Sequence, residues 1–171
     1  MGFIKTKAFN RVKDVKEVRY LTMTLIVDPS KSGLKKVLTD YEIEALRVVW
    51  GSPDKGCTSR EVYVRVNEAL EGIRTISRAS IINFLNDMCD EGVLNFEEET
   101  CKGGSRRKYS PRLDEDGFKK YIAKTVFESL LRDFPDQTIA ALCDSLASDS
   151  AASAKFRECM KSYSALSHTP G

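Results

Sequence analysis

The sequence predicts a mainly α (α+β) fold, a winged helix-turn-helix followed by C-terminal helices. Three observations predict it. Two Thr-x-x-Glu signatures, Thr39-Asp40-Tyr41-Glu42 and Thr58-Ser59-Arg60-Glu61, open amphipathic segments. A third amphipathic segment starts at Ser77, and the apolar period changes from helical to extended after Gly92.

In a Thr-x-x-Glu box the Thr oxygen accepts the Glu N–H and the Glu carboxylate accepts the Thr N–H, which satisfies two otherwise orphaned donors. The first helix carries Ile43, Leu46, Val49 and Trp50 as one apolar stripe, and Gly51-Ser52-Pro53 stops it. In the second, Val62, Val66, Ala69 and Leu70 face inward while Arg60 and Arg65 face solvent; Glu71-Gly72-Ile73-Arg74 turns the chain. The third runs from the Ser77 cap to about Glu91, with Ile81, Phe84, Leu85 and Met88 inside and Gly92 as a left-handed terminator. Val93–Glu97 and Arg106–Ser110 then read as two strands joined by Lys102-Gly103-Gly104-Ser105, a hairpin. Trp50 and Tyr109 sit beside the apolar sets and are expected in the core.

The order of three helices and a hairpin with Arg106, Arg107 and Lys108 on its returning strand makes double-stranded DNA the expected partner. If the third helix enters the major groove, its N-terminal half must do the reading, because Asp87, Asp90 and Glu91 crowd the far end and would repel phosphate. Projecting Ile81, Leu85 and Met88 inward leaves Ala79, Asn83, Asn86 and Asp90 outward, with Arg78, Ser80 and Ile82 on the flanks. Arg78 can donate to guanine or phosphate, Asn83 can pair with adenine, and Ile82 can meet a thymine methyl. The candidate DNA-contacting set is Arg60, Ser77, Arg78, Ala79, Ser80, Ile82, Asn83, Lys102, Arg106, Arg107 and Lys108. A blander reading stands beside it: exposed polar side chains on a helix are commonly only solvated, and cations on an edge strand also guard against aggregation.

Thr39-Asp40, Glu42 and Val48-Val49-Trp50 are followed in register by Thr58-Ser59-Arg60-Glu61-Val62, Ser77, Ser80-Ile81 and Leu85, then Glu91-Gly92-Val93-Leu94 and Tyr109-Ser110-Pro111. This ordered series resembles the penicillinase-repressor family of winged-helix transcriptional regulators, from Leu38 to about Arg132. The resemblance implies a homodimeric repressor whose winged domain binds an inverted-repeat operator and whose C-terminal helices make the dimer. It also exposes a departure: similar repressors tend to carry a Lys and a Gln where this chain has Ala79 and Ile82, so their base preference does not transfer.

Beyond Pro111, Asp114-Glu115-Asp116 suits a helix N-terminus, and Phe118, Tyr121, Ile122, Val126 and Leu130 continue at helical spacing to about Arg132. Phe134-Pro135-Asp136 breaks that helix. A second carries Ile139, Leu142, Cys143 and Leu146, and after a link near Ser148–Ser153 a third carries Phe156, Cys159, Met160 and Tyr163. These stripes exceed what the small winged domain can cover, so C-terminal dimerisation helices are expected; packing back onto the first domain is the alternative.

The domain reading is a basic N-terminal extension over residues 1–37, the winged domain over 38–112, the helical dimerisation region over 113–166 and a tail over 167–171. Charge is uneven: Met1–Leu38 has nine cations to three anions, Thr39–Pro111 ten to thirteen, and Arg112–Gly171 eight to nine. The winged domain is therefore not basic overall, and local clusters must supply the attraction to DNA. In the extension, Leu21–Val27 alternates like a strand. No segment is long and apolar enough to span a bilayer and the start lacks a secretory signal's apolar run, so a cytoplasmic protein is expected. Cys57, Cys89, Cys101, Cys143 and Cys159 show no metal-ligand spacing and the single histidine, His168, lies near the end; neither a metal site nor another cofactor is expected. Cys101 beside Lys102 is the one thiol expected to be exposed at the hairpin tip. Without paired catalytic carboxylates, a nucleophile elbow or a phosphate-binding loop, an enzyme is not expected. The alternative function is a winged-helix protein-interaction module or a transcription-associated factor without operator specificity.

Overall fold

The computed structural model describes residues 26–101 and 104–166. Lys102 of the expected hairpin turn, His168, and all but the last two residues of the expected Leu21–Val27 strand lie outside them, as does the Cys101 side chain. Ile26 and Val27 join no strand among the described residues. The chain instead enters a turn at Asp28, whose carboxylate accepts both the backbone N–H and the hydroxyl of Ser30. A 3-10 turn follows at Gly33–Lys36.

Helices α1 (Asp40–Trp50), α2 (Ser59–Ala69) and α3 (Arg78–Asp90) form where their caps demand, although Ala69 of the expected inward stripe is exposed and Trp50 is half-buried. The Glu42 carboxylate accepts the Thr39 N–H at 2.7 Å, and that of Glu61 accepts the Thr58 N–H at 2.7 Å. These bonds hold the Glu61 carboxyl below its usual range, the Thr58 backbone contributing most. Ile43, Leu46, Val49, Val62, Val66, Ile81, Leu85 and Met88 bury together with Leu94 and Tyr109 in one core. Tyr41 meets Phe84 edge to face, 6.2 Å between ring centroids.

The hairpin is longer than its apolar pattern suggests. Strand β2 covers Leu94–Cys101 and β3 covers Gly104–Pro111, antiparallel, with Leu94 opposite Pro111 and Cys101 opposite Gly104. A third strand, β1 (Cys57–Thr58), pairs with β3 through Cys57 and Tyr109, giving the order β1-β3-β2. Two residues carry no periodicity, so β1 had no sequence signature; it is placed by the turn before it. That turn needs Gly56, at φ +62, where an added Cβ would lie 2.9 Å from the Tyr109 carbonyl oxygen. Gly92, at φ +71, ends α3 as expected.

Between α2 and α3 the chain turns about Asn67. Its Nδ2 donates to the carbonyls of Tyr63 at 2.9 Å and Ile76 at 3.2 Å, and its Oδ1 accepts the Ile76 N–H at 2.7 Å. One side chain thus fastens the start of α3 to α2, as a strand neighbour would.

The chain divides between Arg112 and Leu113 into two compact units. The second holds α4 (Glu115–Asp133), α5 (Pro135–Ser148) and α6 (Ser150–Leu166). The Asp114 carboxylate caps α4 at the Gly117 N–H, and Pro135 occupies the first turn of α5, where no amide donor is missed. The expected link at Ser148–Ser153 is a correction: only Asp149 separates α5 from α6. Its carboxylate accepts the N–H groups of Ala151 and Ala152, so the Ser/Ala run that follows is helix, begun by its own cap.

Asn67→Ala leaves the Ile76 amide and carbonyl without their partner. It should lower stability to urea by about 1–3 kcal/mol, with the denaturant slope unchanged.

Candidate nucleic-acid interface

Helix α3 presents its N-terminal turn outward. Ser77 caps it: its Oγ accepts the Ser80 N–H at 3.0 Å and lies 2.9 Å from the Ser80 hydroxyl. Of the expected contact residues, Ser77, Arg78, Ala79 and Asn83 are exposed, while Ser80 and Ile82 are half-buried on the flank. Arg60 is exposed in the first turn of α2. A helix N-terminus with free amides and an exposed Arg suits a phosphate or a base edge.

Asn86 departs from its expected outward place. It is half-buried, and its Oδ1 accepts two hydrogen bonds, from the Tyr109 hydroxyl at 3.0 Å and from Arg107 Nη1 at 2.9 Å. Both donors come from the same face of β3, since residues two apart on a strand point the same way. Asn86 therefore fastens the hairpin to α3 and is withdrawn from base reading. Burial raises the Tyr109 hydroxyl pKa, and the neighbouring Cys89 adds to it.

The hairpin cations are paired within the hairpin. Glu97, Glu98 and Glu99 stand opposite Lys108, Arg107 and Arg106 in the register. Arg106 donates Nε and Nη2 to one oxygen of Glu99, at 3.0 and 2.9 Å, and Lys108 Nζ reaches the other at 3.5 Å. Those hydrogen bonds hold the Glu99 carboxyl below its usual range, the one from Arg106 contributing most. On the other face Arg107 lies 4.1 Å from the Phe96 ring centroid and 3.7 Å from a Glu98 oxygen. Two residues on each side, Thr100-Cys101 and Gly104-Ser105, separate the triplets from the hairpin turn, and that symmetry was the signal that could have found the pairing. Asn86 had no such signal, because its partners are set by how the hairpin leans on α3.

Cys89, half-buried beside this network, is a thiol whose burial pushes its pKa up to about 11 against the opposing charge of Arg107. The rate of Cys89 alkylation, followed by peptide mass spectrometry, should climb about tenfold per pH unit through pH 9 and level only near 11, because the thiolate is the reactive form.

Among the described residues no group of three or more His, Cys, Asp or Glu is arranged to hold a metal ion, and no helix is long and apolar enough to cross a membrane. The sequence matches the family model described as "Penicillinase repressor" over residues 38–161. No curated protein sequence matches it. Solved structures similar to it include a possible transcriptional regulator from Methanosarcina mazei Go1, 13% identical over 63% of this chain and 78% of that one, TM-score 0.42. Another is Bacillus subtilis PadR in complex with operator DNA, 15% identical over 77% of this chain and 79% of that one, TM-score 0.37. The family assignment rests on the sequence match, which covers the winged helix-turn-helix and continues into α6. The chain belongs to the penicillinase repressor family and is a DNA-binding transcriptional regulator.

Proposed function

We propose that the protein is a homodimeric repressor that occupies an inverted-repeat operator in the cytoplasm and excludes polymerase from the promoter. The observation that carries this reading is the exposed N-terminal turn of α3 with a cationic hairpin fastened to the same helix through Asn86. In it, residues 38–112 bind DNA and residues 113–166 dimerise. Arg78, Ala79, Ile82 and Asn83 face base edges. Arg60, Ser77, Ser80, Arg106, Arg107 and Lys108 face the backbone, and Lys102, which the sequence assigns to the hairpin turn, joins them in this reading.

Two-fold pairing is supported by the second unit's surface. Phe127, Leu130, Phe134, Ala141 and Leu142 are among the residues lining a groove of about 440 Å³ between α4 and α5, and Ile139, Met160 and Tyr163 are exposed as well. No side chain of α5 is buried within the chain. Helices with so much uncovered apolar surface gain most by meeting a second copy, and a dimer sets two reading helices on successive turns of a duplex.

Genomic fragments captured on the purified protein near physiological salt should share a short inverted repeat. Arg106→Glu with Arg107→Glu should weaken binding to every duplex by about tenfold or more, whereas Arg78→Ala or Asn83→Ala should shift preference among sites by about 1–3 kcal/mol per lost base contact. Equal binding of the latter two variants to all sequences would overturn the assignment of α3. Separately, Leu130→Asp with Ile139→Asp should halve the mass seen in sedimentation; an unchanged dimer would place the interface elsewhere.

A further inference from the structure

Glu99 does more than join two strands. Both of its oxygens are occupied, one by the Nε and Nη2 of Arg106 and the other by Lys108, so a single carboxylate engages two of the three hairpin cations. The three side chains share one face of the hairpin, by strand alternation. Glu61, in the first turn of α2, lies within electrostatic reach of the same two cations. Glu97 stands next along that face and makes no ion pair among the described residues.

A phosphate that approaches Arg106 meets a guanidinium already held by an anion. It must either displace Glu99 or share the cation with it, and in both cases a carboxylate is left close to phosphate, where like charges repel. The paired site therefore gains less from DNA than a bare arginine would. We propose that Glu99 is an internal competitor for DNA phosphate, which lowers the sequence-independent affinity of the hairpin and its dependence on salt. This rests on the reading that the hairpin meets the DNA backbone.

The test measures affinity of the full-length protein for a duplex of scrambled sequence across a range of salt concentrations. Glu99→Gln keeps the shape and removes the charge, and should raise that affinity by roughly three- to tenfold and steepen the salt slope by about one. Glu97→Gln makes the same change in net charge one pleat along the same face, at a carboxylate that holds neither cation in an ion pair among the described residues, and should stay within about twofold of the parent. The Glu99→Gln gain should vanish in a background carrying Arg106→Gln and Lys108→Gln, which separates pairing from net charge. Equal effects of the two glutamine variants, or none from Glu99→Gln, overturn the role of Glu99 while Arg106→Glu with Arg107→Glu still weakens binding. If that cation-reversed pair binds like the parent, the hairpin reading fails and the competitor role falls with it. Thermal melts of each variant check that the substitutions at exposed Glu97 and Arg106 and at half-buried Glu99 and Lys108 leave the fold intact.

Discussion

Tyr109 is the point on which the winged domain turns. Its backbone lies in the middle strand, opposite Cys57 on one side and Phe96 on the other, and its ring is only 2% exposed. A buried tyrosine must place its hydroxyl, and this one donates to Asn86 of α3. The same residue thus closes the sheet, fills the core and ties the hairpin to the helix that carries the candidate reading residues. The close approach of Gly56 to its carbonyl is part of that arrangement: only a residue without a Cβ lets β1 lie flat against it.

Most of the fold was legible because its signals are local. Caps and stripes placed α1 to α3, and a cap of the same kind opens α4 at Asp114. What was not legible depends on neighbours far away in the chain. Strand β1 is two residues held by Tyr109, more than fifty positions later, and two residues have no period to read. The run at Ser148–Ser153 misled for the opposite reason. Its composition suits a loop, but Asp149 caps the next helix, and alanine then favours continuing it.

The candidate site was legible as a set of residue types and much less so as an arrangement. The sequence supplied an exposed Arg78 and Asn83, and three hairpin cations. It did not supply the partners of those cations, because pairing across a hairpin depends on register and register depends on the turn. It also misplaced Asn86. A helical projection assigns a residue to a face but cannot say whether another element covers that face, and here the hairpin does. Taking Arg106, Arg107 and Lys108 as free cations therefore overstates the positive charge near α3.

Strand order has a consequence for how the domain comes into being. The central strand is the last of the three to leave the ribosome, so β1 and β2 cannot pair with anything of the sheet until it arrives. During synthesis α1, α2 and α3 can form and associate, yet the seat that Tyr109 fills stays open to water, with Asn86 lacking its two donors. Cooperative closure waits for the segment Gly104–Pro111. A nascent chain with that segment still inside the ribosome would present an unfinished groove, and one with it just emerged a complete winged domain.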